Sequence, residues 1–111
     1  MKMVPIKLDK ERVLKYGVRS FVEIEKALDT TMDKVDFERQ EAIFVLLYAG
    51  LIHMDRKLTL DKVYNIVEKM VEEIADEENL PFMEAYAKVL TDIGEKIGEA
   101  MGHGVETPSK G

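Results

Sequence analysis

The sequence predicts a mainly α fold: a short N-terminal β-hairpin followed by a compact bundle of about four helices. Three observations carry this. Residues 4–16 alternate apolar and polar positions, residues 17–28, 60–76 and 80–101 repeat theirs every three or four, and Ala42 to Ile52 runs apolar for eleven residues counting Gly50. With 111 residues the chain is long enough for one domain and too short for two. Residues 1–101 are therefore read as a single domain and 102–111, rich in Gly and polar residues, as a flexible tail.

The hairpin comes first. Val4, Ile6 and Leu8 alternate with Pro5 and Lys7, Asp9-Lys10-Glu11 makes a polar turn, and Arg12 to Tyr16 gives the second extended run. Pro5 suits an edge strand because it has no amide to donate. An isolated hairpin is marginal in water, so this one must lean on the helices. In residues 17–28, Val18, Phe21, Ile24 and Leu28 define one apolar face. Asp29 to Asp36 is a connector with room for one helical turn, its Asp and Thr side chains competing for backbone hydrogen bonds.

Residues 37–53 are assigned to the second helix. It is apolar on all sides, the mark of a central element or of one covered by a partner. Its β-branched and aromatic residues would also allow a buried strand; length and the polar lead-in Glu38-Arg39-Gln40-Glu41 favour the helix. Thr59 is placed to cap the third helix, 60–76, with Asp61 near its positive end and Leu60, Val63, Val67, Met70, Val71 and Ile74 on one face. Asn79-Leu80-Pro81 opens the fourth, 80–101, whose stripe is Phe82, Tyr86, Val89, Leu90, Ile93 and Ile97. No internal repeat is visible.

Composition narrows the function classes. The chain is 46% hydrophobic and 34% charged, as in ordinary globular domains. A net charge of -6 argues against nucleic acid, whose phosphates are bound through Lys and Arg. The absence of cysteine excludes disulfides, thiol catalysis and zinc–thiolate sites. The longest apolar run is about half of what a bilayer span needs, and the N-terminus shows no secretory signal, so no membrane partner is expected.

Nothing in the chain reads as a catalyst, metal site or cofactor site. His53 and His103 stand fifty residues apart without ligand spacing, and His53 with Asp55 is a dyad by proximity alone. A histidine at a helix end more often meets free carbonyls. Three features point instead to partner binding. The junction of the second and third helices offers Tyr48, Leu51, Ile52 and Met54. The run Glu72 to Glu78 holds five acids in seven residues at a helix C-terminus, where negative charge is disfavoured, so Glu72, Glu73 and Glu77 read as a patch for a basic segment; a solvated helix end explains them as well. Gly94, Gly98 and Gly102, four apart, read with Met101 as a bare helix face admitting another helix, or else as a fraying terminus. Methionines adapt to irregular partner surfaces, though most fill cores.

Three segments, in order, carry a resemblance. They are Leu8 to Gly17, then Phe21-Val22-Glu23-Ile24-Glu25-Lys26-Ala27-Leu28, then Leu46-Leu47-Tyr48-Ala49-Gly50-Leu51 with His53-Met54-Asp55 and Leu58-Thr59. Together they resemble the tail assembly chaperones of long-tailed phages and prophages over roughly residues 6–75. The last third departs from that pattern. The resemblance implies a non-catalytic protein that keeps the tape measure protein soluble and helps recruit the tail tube protein. It also implies that the chain works in the host bacterial cytoplasm, is absent from the mature virion, and often exists beside a longer frameshifted form. Self-association along a long client would add avidity. Two rivals remain: a regulatory or self-assembling module of the antitoxin or anti-factor kind, and a small hydrolase or metal enzyme built on His53.

Overall fold

The structure, a computed structural model, describes residues 3–102. Two strands, β1 (Val4–Lys7) and β2 (Glu11–Leu14), precede four helices, α1 (Val18–Leu28), α2 (Gln40–Leu51), α3 (Leu60–Glu78) and α4 (Phe82–Ala100). The mainly helical class and the N-terminal hairpin are as the sequence predicts. The strands pair antiparallel, Val4 opposite Leu14 and Ile6 opposite Arg12. Val4, Ile6 and Leu14 are buried while Pro5 and Lys7 are exposed, so the period-two pattern marks the face that rests on the helices.

Helix α2 is the hub. It touches α1, α3, α4 and β2. Eight of its twelve residues are buried, which accounts for apolar side chains all round it. Phe44 meets Tyr64 of α3, ring centroids 4.7 Å apart. At its start the Tyr86 hydroxyl of α4 donates to Gln40 Oε1 at 2.9 Å. The helix begins at Gln40 rather than at 37, because Asp36 Oδ1 accepts from the Glu38 amide (3.1 Å) and holds residues 36–38 in a turn. The connector before it contains one 3-10 turn, Met32–Lys34.

Two predicted core residues are at the surface instead. Val18 is 81% exposed. The buried arc of α1 centres on Ile24, and Val18, six residues earlier, lies roughly 120° round the helix from it. Phe82 is also exposed; it opens α4 one turn before the first buried residue, Ala85. Thr59 caps α3 as predicted, its hydroxyl accepting from the Lys62 amide at 3.2 Å. Thr59→Ala is expected to cost about 1 kcal/mol, read as a lower urea midpoint with an unchanged slope.

The third helix runs two residues further than predicted, to Glu78, and Asn79 ends it in the left-handed region with φ 54°. Gly102 does not continue the glycine face of α4. The helix stops at Ala100, and Gly102 closes a turn at φ 70°, its amide reaching Glu99 O at 3.2 Å. The rest of the predicted tail, with His103, lies outside the described residues. No helix among the described residues is long and apolar enough to cross a membrane.

Candidate functional site

The stretch Tyr48 to Asp55 forms a latch between α2 and the hairpin. Tyr16, buried just after β2, donates its phenol proton to Leu46 O at 2.6 Å. Burial holds that phenol well above its ordinary pKa. The Lys15 amide donates to Gly50 O at 2.9 Å. His53, just beyond α2, donates from Nε2 to Val13 O at 2.8 Å. Arg12 stands between Asp9 (Nε–Oδ1 2.7 Å) and Asp55 (Nη1–Oδ2 3.5 Å). The guanidinium holds the Asp9 carboxyl below its usual range. Arg12 shares the helix-facing side of the sheet with Val4 and Leu14, so a charge so placed needs both carboxylates.

Gly50 has a specific reason to be glycine. A Cβ there would stand 2.7 Å from Cζ and Oη of Tyr16 and 2.8 Å from Leu14 Cδ2. The sequence Tyr48-Ala49-Gly50-Leu51-Ile52-His53-Met54-Asp55 thus contains the receptor for β2. His53 finds a carbonyl, as expected at a helix end, but on the hairpin rather than on its own helix. Asp55 goes to Arg12 and to the Lys57 amide (3.1 Å), not to His53. Among the described residues no group of three or more metal-ligating side chains converges.

The predicted partner residues at the α2–α3 junction do not form one surface. Leu51 is 2% exposed and belongs to the core, at the base of the hollow that Met54 also lines. Tyr48 and Ile52, one turn apart, line a cleft of about 340 Å³ between α1 and the 52–59 connection. Met54 is 71% exposed and lines a different hollow, beside Lys10 and Val13 of the hairpin. The cause is helical geometry. Positions 48 and 52 share a face, position 51 points roughly 100° away from 52 into the hairpin contact, and 54 lies past the helix end.

The α4 residues do come together. Gly94, Gly98 and Met101 line one side of an apolar groove of about 220 Å³. The other side is Ile43 and Leu46 of α2, with Phe37 from the turn before it. Phe37 is 44% exposed, and a Cβ added at Gly94 would meet nothing within 4 Å. Gly94 is therefore not needed for close helix contact inside the molecule; it leaves the groove open. Phe37 carried a signal in the sequence, an aromatic isolated in the polar segment Asp36-Phe37-Glu38. Ile43 was hidden by the uniformly apolar run around it.

Glu72, Glu73 and Glu77 are exposed on α3, and none makes an ion pair among the described residues. Glu78 does, with Lys88 of α4, whose ammonium pKa is raised by that hydrogen bond. The acidic face lines neither the cleft nor the groove. No family of known proteins, no curated protein and no solved structure matches this chain.

Proposed function

We propose that this protein is a non-catalytic helix-binding module acting as a phage tail assembly chaperone. The observation that carries the binding role is the open apolar groove between α2 and α4, bare where Gly94 lies and ringed by Phe37, Ile43 and Met101. Two adjacent interior glycines on a face cost α4 about 1 kcal/mol each relative to alanine. A groove kept open at that cost suits an apolar helix laid along it. The client class comes from the resemblance of residues 6–75 to the tail assembly chaperones: a tape measure protein held soluble in the host bacterial cytoplasm, with the tail tube protein recruited to it, and the chaperone left out of the finished virion. The exposed carboxylates of Glu72, Glu73 and Glu77 favour a client with basic residues flanking its apolar stretches.

Gly94→Leu tests the groove. A Cβ at residue 94 meets nothing within 4 Å, and leucine is the better helix former, so the variant is expected to melt at or above the parent temperature. Co-expressed with the tape measure protein of the same genome, it should leave the client in the pellet where the parent keeps it in the supernatant. A stable variant that still solubilises and co-purifies with the client removes the groove from the reading. The rival self-assembling module draws on Val18 and Val22, exposed one turn apart on α1. Sedimentation of Val18→Lys against the parent separates the two, since only self-assembly through α1 predicts a change in mass.

A further inference from the structure

The chain has four arginines, Arg12, Arg19, Arg39 and Arg56. Arg12 pairs with Asp9 and Asp55, and Arg39 with Glu41. Among the described residues Arg19 and Arg56 make no ion pair and no side-chain hydrogen bond, although acids outnumber basic residues by 22 to 16. These two line the same cleft, the one that holds Tyr48 and Ile52. They reach it from two different elements, Arg19 from the first turn of α1 and Arg56 from the connection after α2, 37 residues on. Ile52 and Leu58 supply an apolar side. His53 also borders the cleft, with its Nε2 turned to Val13 O. The one carboxylate present, Glu23, lies one turn beyond Arg19 on α1 without pairing to either arginine.

We propose that this cleft is a carboxylate-binding site, and that it takes an acidic side chain carried on an apolar polypeptide segment. A guanidinium presents paired N–H donors in a fork that matches a carboxylate. Two forks lining one cavity can share a single anion, and Arg19 and Ser20 bring the first turn of α1, the positive end of its dipole, to the lining. Both side chains are exposed, so ordering them opposes binding. A bare carboxylate is then held weakly, and contact of an apolar body with Tyr48, Ile52 and Leu58 supplies the remainder. The net charge of -6 repels a polyanion such as nucleic acid, whereas one or two carboxylates on a greasy segment meet only the local charge. The cleft shares no residue with the α2–α4 groove, so it stands independently of the client reading above.

The test is fluorescence anisotropy with a labelled peptide alternating leucine and glutamate, its leucine–glutamine counterpart, hexanoate as competitor, and a single-stranded oligonucleotide at the same salt. The glutamate peptide is expected to bind about tenfold tighter than the glutamine peptide. The double substitution Arg19→Gln with Arg56→Gln should remove about that factor while leaving the melting temperature unchanged. Glu23→Gln should tighten binding severalfold, since it deletes a like charge from the cleft; a merely structural role for these residues predicts no gain. Gly94→Leu should leave the peptide affinity as it was. Equal binding of both peptides, an inert arginine double variant, hexanoate binding as tightly as the peptide, or preference for the oligonucleotide would each overturn the assignment.

Discussion

Gly50→Ala is expected to destabilise the protein by about 2 kcal/mol, although alanine is the better helix former. The local preference gains about 1 kcal/mol. Against it stands a methyl placed 2.7 Å from the Tyr16 ring and 2.8 Å from Leu14. The ring cannot swing clear cheaply, since it is buried and tied through its hydroxyl to Leu46 O. Overpacking of this kind costs about 1–3 kcal/mol, and displacing the phenol forfeits a buried hydrogen bond worth about 1 kcal/mol. A melt followed by circular dichroism should fall by roughly 8–15 °C, at about 4–8 °C per kcal/mol for a domain of this size. The penalty should shrink when Leu14 is also trimmed to alanine, because one of the three close contacts is then gone. An unchanged or raised melting temperature for Gly50→Ala would show that β2 does not press on α2 here.

Leu47→Ala should cost more, about 2–5 kcal/mol. Leu47 is fully buried on the one helix that touches every other helix and β2. A cavity there has walls from several elements that cannot all collapse into it. Since a domain of this size holds about 5–15 kcal/mol in total, the variant should unfold at markedly lower urea. Ile43, about one turn earlier on the same helix but bordering the groove, is only half-buried. Ile43→Ala is therefore expected to cost about 1 kcal/mol. Equal losses at the two positions would contradict the burial that separates them.

Local chemistry made most of the fold legible. Alternation in Val4 to Leu8 marks a half-buried strand, threonine at 59 followed by an amphipathic run marks a capped helix, and an apolar helix without a polar side marks the centre of a bundle. What escaped was tertiary. Nothing in the α1 pattern says that its buried arc stops short of Val18. The later start of α2 is local by contrast: Asp36, among the connector side chains that compete for backbone hydrogen bonds, holds the Glu38 amide and delays the helix. The site was readable in part for the same reason. Tyr48 and Ile52 reach a cleft and Gly94, Gly98 and Met101 reach a groove, because spacing on one helix face is a local property. That Leu51 is buried was not legible, because the hairpin that covers it lies 37 or more residues earlier in the chain. Arg19 and Arg56 share a cavity that no spacing rule connects.

The latch between β2 and α2 also orders events during synthesis. Leu14 leaves the ribosome 36 residues ahead of Gly50, an interval of about two to seven seconds at usual elongation rates. Throughout that interval Val4, Ile6 and Leu14 have no surface to rest against, and two short strands do not hold together unaided. The amino-terminal segment must therefore stay unstructured while α1 and most of α2 are being translated, and it is recruited backwards, β2 onto α2 and β1 onto α4. A nascent chain stalled before residue 50 should remain protease-sensitive through residues 4–16, and β1 should lose that sensitivity only once α4, the helix it touches, has cleared the exit tunnel.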